Sequence, residues 1–155
     1  MEAIVLIGIQ GSGKSTFYSQ RFASTHARIS LDELKTRRRE QEVLEAYLRL
    51  GRPFVIDNTN VRAADRARYI AAAKAAGFRV TGYFLDASLR DALRRNKLRA
   101  GKEAIPVPGV VGTLKRLERP SFQEGFDELY SVSRDDDDQF VVTPFAEGAA
   151  ARGRN

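Results

Sequence analysis

Gly8, Gly13, Lys14 and Ser15 stand in the spacing G-x-x-x-x-G-K-S, inside the run GIQGSGKST from Gly8 to Thr16. This is the pattern of a phosphate-binding loop, and each residue type in it has a physical reason. The glycines let backbone N–H groups curl around an anion. A helix beginning at Lys14 aims its positive end at the same point. Lys14 can reach the β- and γ-phosphates of a nucleoside triphosphate, and Ser15 can ligate Mg²⁺. The candidate nucleotide-binding residues are Gly8, Gln10, Gly11, Ser12, Gly13, Lys14, Ser15 and Thr16.

Holding a triphosphate does not say what is done with it. Transfer of a phosphoryl group calls for a base near an acceptor hydroxyl, a metal environment, and cations over the moving group. Asp32 follows Ile29-Ser30-Leu31, and Asp57 follows Phe54-Val55-Ile56. Open α/β sheets bind ligands outside the carboxyl ends of their strands, so both carboxylates are expected beside the loop. Asp32 could accept a proton from a hydroxyl, and Asp57 could hold Mg²⁺ with Ser15. Either could instead cap the helix that follows it. Arg95 and Arg99 lie four apart, on one face of an expected helix. Two arginines aimed at one point suit a triphosphate, with Ala100–Pro108 as a lid that closes over it. Arg90 and Arg94 read as an exposed basic face. The cationic stretch Lys35-Thr36-Arg37-Arg38-Arg39 could meet a phosphodiester backbone or simply be a solvated helix face.

Short apolar runs alternate with amphipathic segments, the mark of an α/β fold with a parallel sheet. Strands are expected over Ala3–Ile7, Ala27–Leu31, Pro53–Ile56, Phe78–Leu85, Glu128–Ser133 and Phe140–Thr143. Helices are expected over Lys14–Ala23, Glu33–Leu50, Arg62–Ala76, Ala87–Arg99 and Gly109–Leu117. The run Asp57-Asn58-Thr59-Asn60 can cap the third of these helices, and Asp86 the fourth. His26 reads as a turn residue, and Phe78, Tyr83 and Phe84 as core. Asp135–Asp138 reads as a solvated turn, because four adjacent carboxylates repel one another. The chain reads as one domain over residues 1–145, with a frayed tail over 146–155.

The chain has 155 residues and a net charge of +6, which favours polyanionic partners such as nucleotides or nucleic acid. It has no cysteine, which excludes disulfides and zinc–thiolate sites and fits a reducing cytoplasm. No stretch approaches the ~20 apolar residues of a membrane span, so no membrane partner is expected. The early strand leaves no room for a signal peptide. Nothing in the sequence calls for an obligate protein partner.

Taken together, these segments resemble the kinase domain of polynucleotide 5′-kinases, within the group of small AAA-type P-loop ATPases and kinases. The resemblance runs from about Ile4 to Val132. It rests on GIQGSGKST, on Ile29-Ser30-Leu31-Asp32, on Val55-Ile56-Asp57-Asn58-Thr59-Asn60, on Arg95-Asn96-Lys97-Leu98-Arg99 before Ile105-Pro106-Val107, and on Pro120 to Glu128. Asp57–Asn60 and Glu124-Gly125-Phe126 are its more distinctive pieces.

The resemblance implies an adenylate-kinase-like P-loop fold, a parallel sheet flanked by helices with a helical lid. It implies transfer of the γ-phosphate of ATP, with Mg²⁺, to a 5′-hydroxyl end of DNA or RNA. Asp32 is then the general base, and Lys14 and Ser15 hold phosphates and Mg²⁺. Arg95 and Arg99 are lid residues on the ATP phosphates. Lys35, Asn58 and Thr59 lie on the acceptor side. Two positions depart from the pattern: Leu31 stands where members often carry an arginine, and Lys35 replaces an arginine, keeping the charge without the bidentate geometry. Two other readings stay open on the residues alone. One is a kinase for a sugar, nucleoside or other small molecule on the same fold. The other is an ATP-binding regulatory module with no dedicated acceptor.

Overall fold

β1, Glu2–Ile7, is apolar at every position after its first, and those five residues are all buried. A continuous apolar run suits a strand covered on both faces of a parallel sheet. Its side chains divide by the period of two. Ala3, Val5 and Ile7 enter one core with Phe54, Ile56, Tyr69, Phe78 and Phe84. Ile4 and Leu6 enter a second core with Phe17, Val55 and Leu85 on the opposite face.

The computed structural model describes residues 1–98 and 106–146; of Leu89 and residues 95–98 it describes the backbone alone. The elements are β1, α1 (Lys14–Arg21), β2 (Ala27–Ile29), α2 (Leu31–Leu34), α3 (Arg37–Leu50), β3 (Phe54–Ile56), α4 (Ala63–Ala75), β4 (Arg79–Leu85), α5 (Leu89–Leu98), α6 (Val107–Arg116), a 3₁₀ turn (Phe122–Glu124), β5 (Glu128–Arg134) and β6 (Phe140–Pro144). The sheet runs β2-β3-β1-β4-β5-β6. Every pairing is parallel except β5 with β6. From β1 the chain builds outward to β2 and β3 on one side, then crosses to β4 on the other. The strand order therefore reverses at β1, the place where such sheets open a crevice for a ligand.

The expected α/β architecture is present, with corrections at its boundaries. The second strand stops at Ile29, so Asp32 does not end a strand; it lies in the single turn of α2. The helix expected over Glu33–Leu50 is two helices. Lys35 breaks it with a left-handed φ of 74°, and the Thr36 side chain caps α3 by accepting from the Arg39 amide at 3.2 Å. Asp57–Asn60 does not cap α4. Arg62 is the cap residue, and its amide is taken by Asp65 at 3.2 Å. Nor does Asp86 cap α5: Ser88 Oγ accepts from the Asp91 amide at 3.2 Å. The acidic run is a turn as expected, with Asp135 Oδ1 accepting from the amides of Asp137 and Gln139. His26 sits at its turn with Nε2 2.8 Å from Glu2 Oε1. Tyr83 is half-buried, while Phe78 and Phe84 are core residues. Arg90 and Arg94 are exposed as expected. The stretch 99–105, which carries Arg99 and most of the expected lid, and all of the expected 146–155 tail after residue 146 lie outside the described residues.

Candidate active site

The loop between β1 and α1 takes the shape its glycines permit. Gly11 and Gly13 have φ of 79° and 99°, the left-handed region that side chains avoid. At Gly11 the reason is also steric, since a Cβ there would lie 2.2 Å from the Ala92 carbonyl oxygen of α5. Ile9, Ala92 and Val110 form a small core of their own, joining the loop to α5 and α6. The Lys14 Nζ folds back across the loop and donates to the carbonyls of Gly8 and Ile9, each at 2.9 Å. Ser12 is buried, and its Oγ has no hydrogen-bond partner among the described residues.

Asp57–Asn60 leaves β3 directly beside this loop, and each of its residues has a different task. The buried Asp57 carboxylate accepts from Ser15 Oγ at 3.0 Å and from Arg28 Nε at 2.8 Å. Asn58 reaches the other way. Its Oδ1 accepts from the Leu31 amide at 2.9 Å, which fixes the first turn of α2 one residue before Asp32, and its Nδ2 donates to Glu40 at 2.8 Å. The Thr59 carbonyl accepts from the Gly8 amide at 3.0 Å, extending the β1–β3 pairing into the phosphate loop. Asn60 adopts a φ of 48°, which asparagine tolerates, and donates to the Leu6 carbonyl at 2.7 Å.

Two cavities flank the loop. The larger, of about 390 Å³, is lined by Arg37, Asn58, Thr59, Asn60, Ala64, Asp65, Arg68 and Tyr69. Beneath it lies Glu40, whose carboxylate is fully buried and accepts from Asn58, Tyr69, Arg37 and Arg68. Burial alone would push this carboxyl up; its four donors outweigh that and hold it below the usual carboxylate range. The Tyr69 hydroxyl is pushed up by burial and by the adjacent Glu40 charge, so it stays a donor to Glu40. The second cavity, of about 150 Å³, lies on the β4–β5 side and is lined by residues that include Ser12, Asp86, Ser88, Asp91, Arg134 and Phe140.

These positions sort the sequence-derived candidates. Lys14, Ser15, Asp57, Asn58 and Thr59 converge on one crevice at the ends of β1 and β3. Asp32 is exposed on α2, and its carboxylate takes no hydrogen bond or ion pair among the described residues. Lys35 is exposed and does not line the larger cavity; Arg37, two residues on, does. Arg95 is one turn beyond Ala92 on α5, and its side chain is outside the described set. Several residues in the crevice have no sequence signal of their own. Arg28 sits in a three-residue strand, Glu40 in a charged helix, and Arg68 in an alanine-rich one.

The AAA domain family profile matches residues 4–120. The chain belongs to that family. Its fold is that of the P-loop kinases, and among the described residues no helix is long and apolar enough to cross a membrane. The kinase-fold domain is 30% identical over 139 residues to a protein of Acanthamoeba polyphaga mimivirus, named provisionally as a bifunctional polynucleotide phosphatase/kinase; the match covers 85% of this chain. The chain spans about a third, 33%, of the length of the curated relatives it matches. Among solved structures it resembles a gluconokinase from Sinorhizobium meliloti 1021, with a TM-score of 0.62 at 21% identity over 85% of this chain and 82% of that one. It also resembles Kti12 of Chaetomium thermophilum in complex with ADP-AlF3, with a TM-score of 0.65 at 20% identity over 87% and 90%. At these identities the structural likenesses establish the fold.

Proposed function

We propose that this domain is an ATP- and Mg²⁺-dependent kinase that phosphorylates the 5′-hydroxyl of a DNA or RNA end. The observation that carries the reading is the larger cavity. It abuts the phosphate loop through Thr59 and presents the guanidinium groups of Arg37 and Arg68, which suit the phosphodiester that follows a 5′-terminal nucleoside. The name of the mimivirus relative supports the same acceptor class.

Ser15 and Asp57 fit Mg²⁺ as a hydroxyl and a carboxylate already 3.0 Å apart, the hard oxygen donors that ion takes alongside phosphate and water. When bound, the ion neutralises charge on the β- and γ-phosphates. The chain's residues do the rest. The Gly11–Gly13 backbone and Lys14 hold the β- and γ-phosphates, which draws Lys14 off the Gly8 and Ile9 carbonyls. Asp32 takes the proton of the acceptor hydroxyl as its oxygen bonds to Pγ. The bond from Pγ to the β–γ bridging oxygen breaks, and ADP leaves with the electron pair. Arg95 and Arg99 offset the charge on the transferring group. Asn58 positions Asp32 by anchoring the amide before it. The donor nucleoside lies toward the smaller cavity. Most of the rate comes from positioning and fixed charge.

The test is transfer of labelled γ-phosphate from ATP to a short single-stranded oligonucleotide with a 5′-hydroxyl, run on DNA and RNA. The expected outcome is label on at least one polymer, with its loss in Asp32→Ala while ATP still binds. Absence of label on both polymers, with ATP bound, would overturn the acceptor assignment in favour of a small molecule. Persistence of transfer in Asp32→Ala would overturn the base. Salt gives an independent readout, because acceptor affinity should fall steeply with ionic strength for a polymer and little for a sugar.

A further inference from the structure

Arg28 is the middle residue of the edge strand β2 and is paired in register with Val55. Its neighbour Ile29 points into the core on the other face of the sheet, so Arg28 faces the side on which α1 begins. There the guanidinium uses all three of its nitrogens. Nε donates to Asp57 Oδ2 at 2.8 Å, Nη2 to Ser15 Oγ at 3.0 Å, and Nη1 to Glu33 Oε2 at 3.1 Å. Ser15 Oγ in turn donates to the same Asp57 oxygen at 3.0 Å. Arg28, Ser15 and Asp57 thus close a triangle of hydrogen bonds around one carboxylate oxygen.

The two oxygens gripped by Arg28 are the two that suit Mg²⁺. A guanidinium and a divalent cation are like-charged and draw on the same donors, so each weakens the other there. The arginine is not locked in. Its side chain is 28% exposed, and its third partner, Glu33, is 62% exposed and lies outside the Ser15–Asp57 pair. Glu33 offers the guanidinium somewhere to remain when it lets go of Asp57.

Resting on the reading of Ser15 and Asp57 as the magnesium residues, we propose that Arg28 is a resident counter-ion of that site. It holds the phosphate-loop serine and its aspartate together when no metal–nucleotide is bound, and metal–nucleotide binding displaces it. The apparent affinity for metal–nucleotide is then reduced by the fraction of molecules in which Arg28 occupies the site. Arg28 is a positioning residue that sets donor affinity. It does not touch the reacting atoms.

The experiment is a titration of the full chain with Mn²⁺ in the presence of ADP, following free Mn²⁺ by its electron paramagnetic resonance signal. The series is wild type, Arg28→Ala, Arg28→Gln, Ser15→Ala and Asp57→Ala, with folding checked by circular dichroism. Removing the competing charge should tighten Mn²⁺–ADP binding roughly tenfold in both Arg28 variants, a size ordinary for coupled ligands. Ser15→Ala and Asp57→Ala should weaken it. If they weaken it while the folded Arg28 variants bind unchanged or more weakly, the counter-ion proposal is overturned and Arg28 is a structural support. If Ser15→Ala and Asp57→Ala leave Mn²⁺–ADP binding unchanged, the metal assignment itself fails. Should Arg28→Ala not fold, Arg28→Gln decides, because it keeps a hydrogen-bonding side chain without the charge.

Discussion

Helix α4 contributes to two buried ionic clusters, and they are built in opposite senses. One is centred on a cation. Arg66 is fully buried, holds Glu124 through Nε and Nη2 at 2.7 and 3.0 Å, and donates through Nη1 to the carbonyls of Asn60, Val61 and Glu118. The other is centred on an anion. Glu40 is fully buried, but its partners Arg37 and Arg68 have side chains 60% and 39% exposed. Every nitrogen of Arg66 ends on protein, so that cluster clamps three segments and receives nothing. The Glu40 cluster fixes its anion and leaves its cations facing a cavity. The difference teaches how to tell architecture from a binding site when both use the same residue types: what matters is whether the counter-charge is closed in or presented.

Arg66→Ala gives the strongest test of this contrast. It leaves the Glu124 carboxylate, 14% exposed, without its counter-charge and takes a donor from three carbonyls, and should cost about 3–5 kcal/mol of stability in urea unfolding. The fraction that stays folded should bind ATP and acceptor normally. Glu40→Gln should cost less, about 1–3 kcal/mol, because its arginines can turn to solvent. It should raise the acceptor KM while leaving ATP affinity unchanged. If folded Arg66→Ala raised the acceptor KM more than Glu40→Gln did, the contrast between clamp and receiver would break.

A pH titration of stability sharpens the same contrast with a smaller effect. The carboxyl of Glu40 is held below its usual value of 4.5, so its contribution is full above that value and is lost as pH falls through the folded-state pKa. At the other end, burial raises Tyr69 above 10.0 and lifts Tyr83 to about 12. Their contribution is present below pH 10 and is lost as pH rises through those raised values. Thermal unfolding should therefore show a plateau between these limits. The acid slope should be shallower in Glu40→Gln and unaltered by Tyr83→Phe.

How much of this was legible in the sequence depends on whether the cause was local. The phosphate loop was, because its glycines, lysine and serine act over eight residues with fixed backbone needs. The strands were, because an apolar run between turn residues reports its own burial. Asp57 facing Ser15 followed from strand ends meeting at one edge of a sheet. The break at Lys35 was hidden, since a lysine with positive φ is tolerated only because Thr36 caps the next helix and Asn58 holds the previous one. The contacts of Asn58–Asn60 were hidden as well. The run reads as a cap by composition, yet the partners of these three residues lie at Leu31, Gly8 and Leu6, far away along the chain. Glu124-Gly125-Phe126 was visible as distinctive but not as structural. In the fold Glu124 anchors Arg66, Gly125 takes a φ of 111°, and Phe126 packs over Gly82. Arg28 had no signal, because nothing in a three-residue strand says which way its middle residue turns.

The two margins of the sheet have a consequence for how the molecule behaves in a crowd. An unpaired strand edge is a template for the edge of another molecule, and long flat edges invite fibrils. Here one margin is β2, only three residues long with a charged arginine at its centre, and the other is β6, which closes on a proline that has no N–H to offer. Neither margin presents a long row of free donors and acceptors to a second chain. A six-stranded sheet with so apolar a central strand thus ends in two short edges of the kind that disfavour edge-to-edge pairing, and the arginine at one margin is the same one that sits on the phosphate-loop serine.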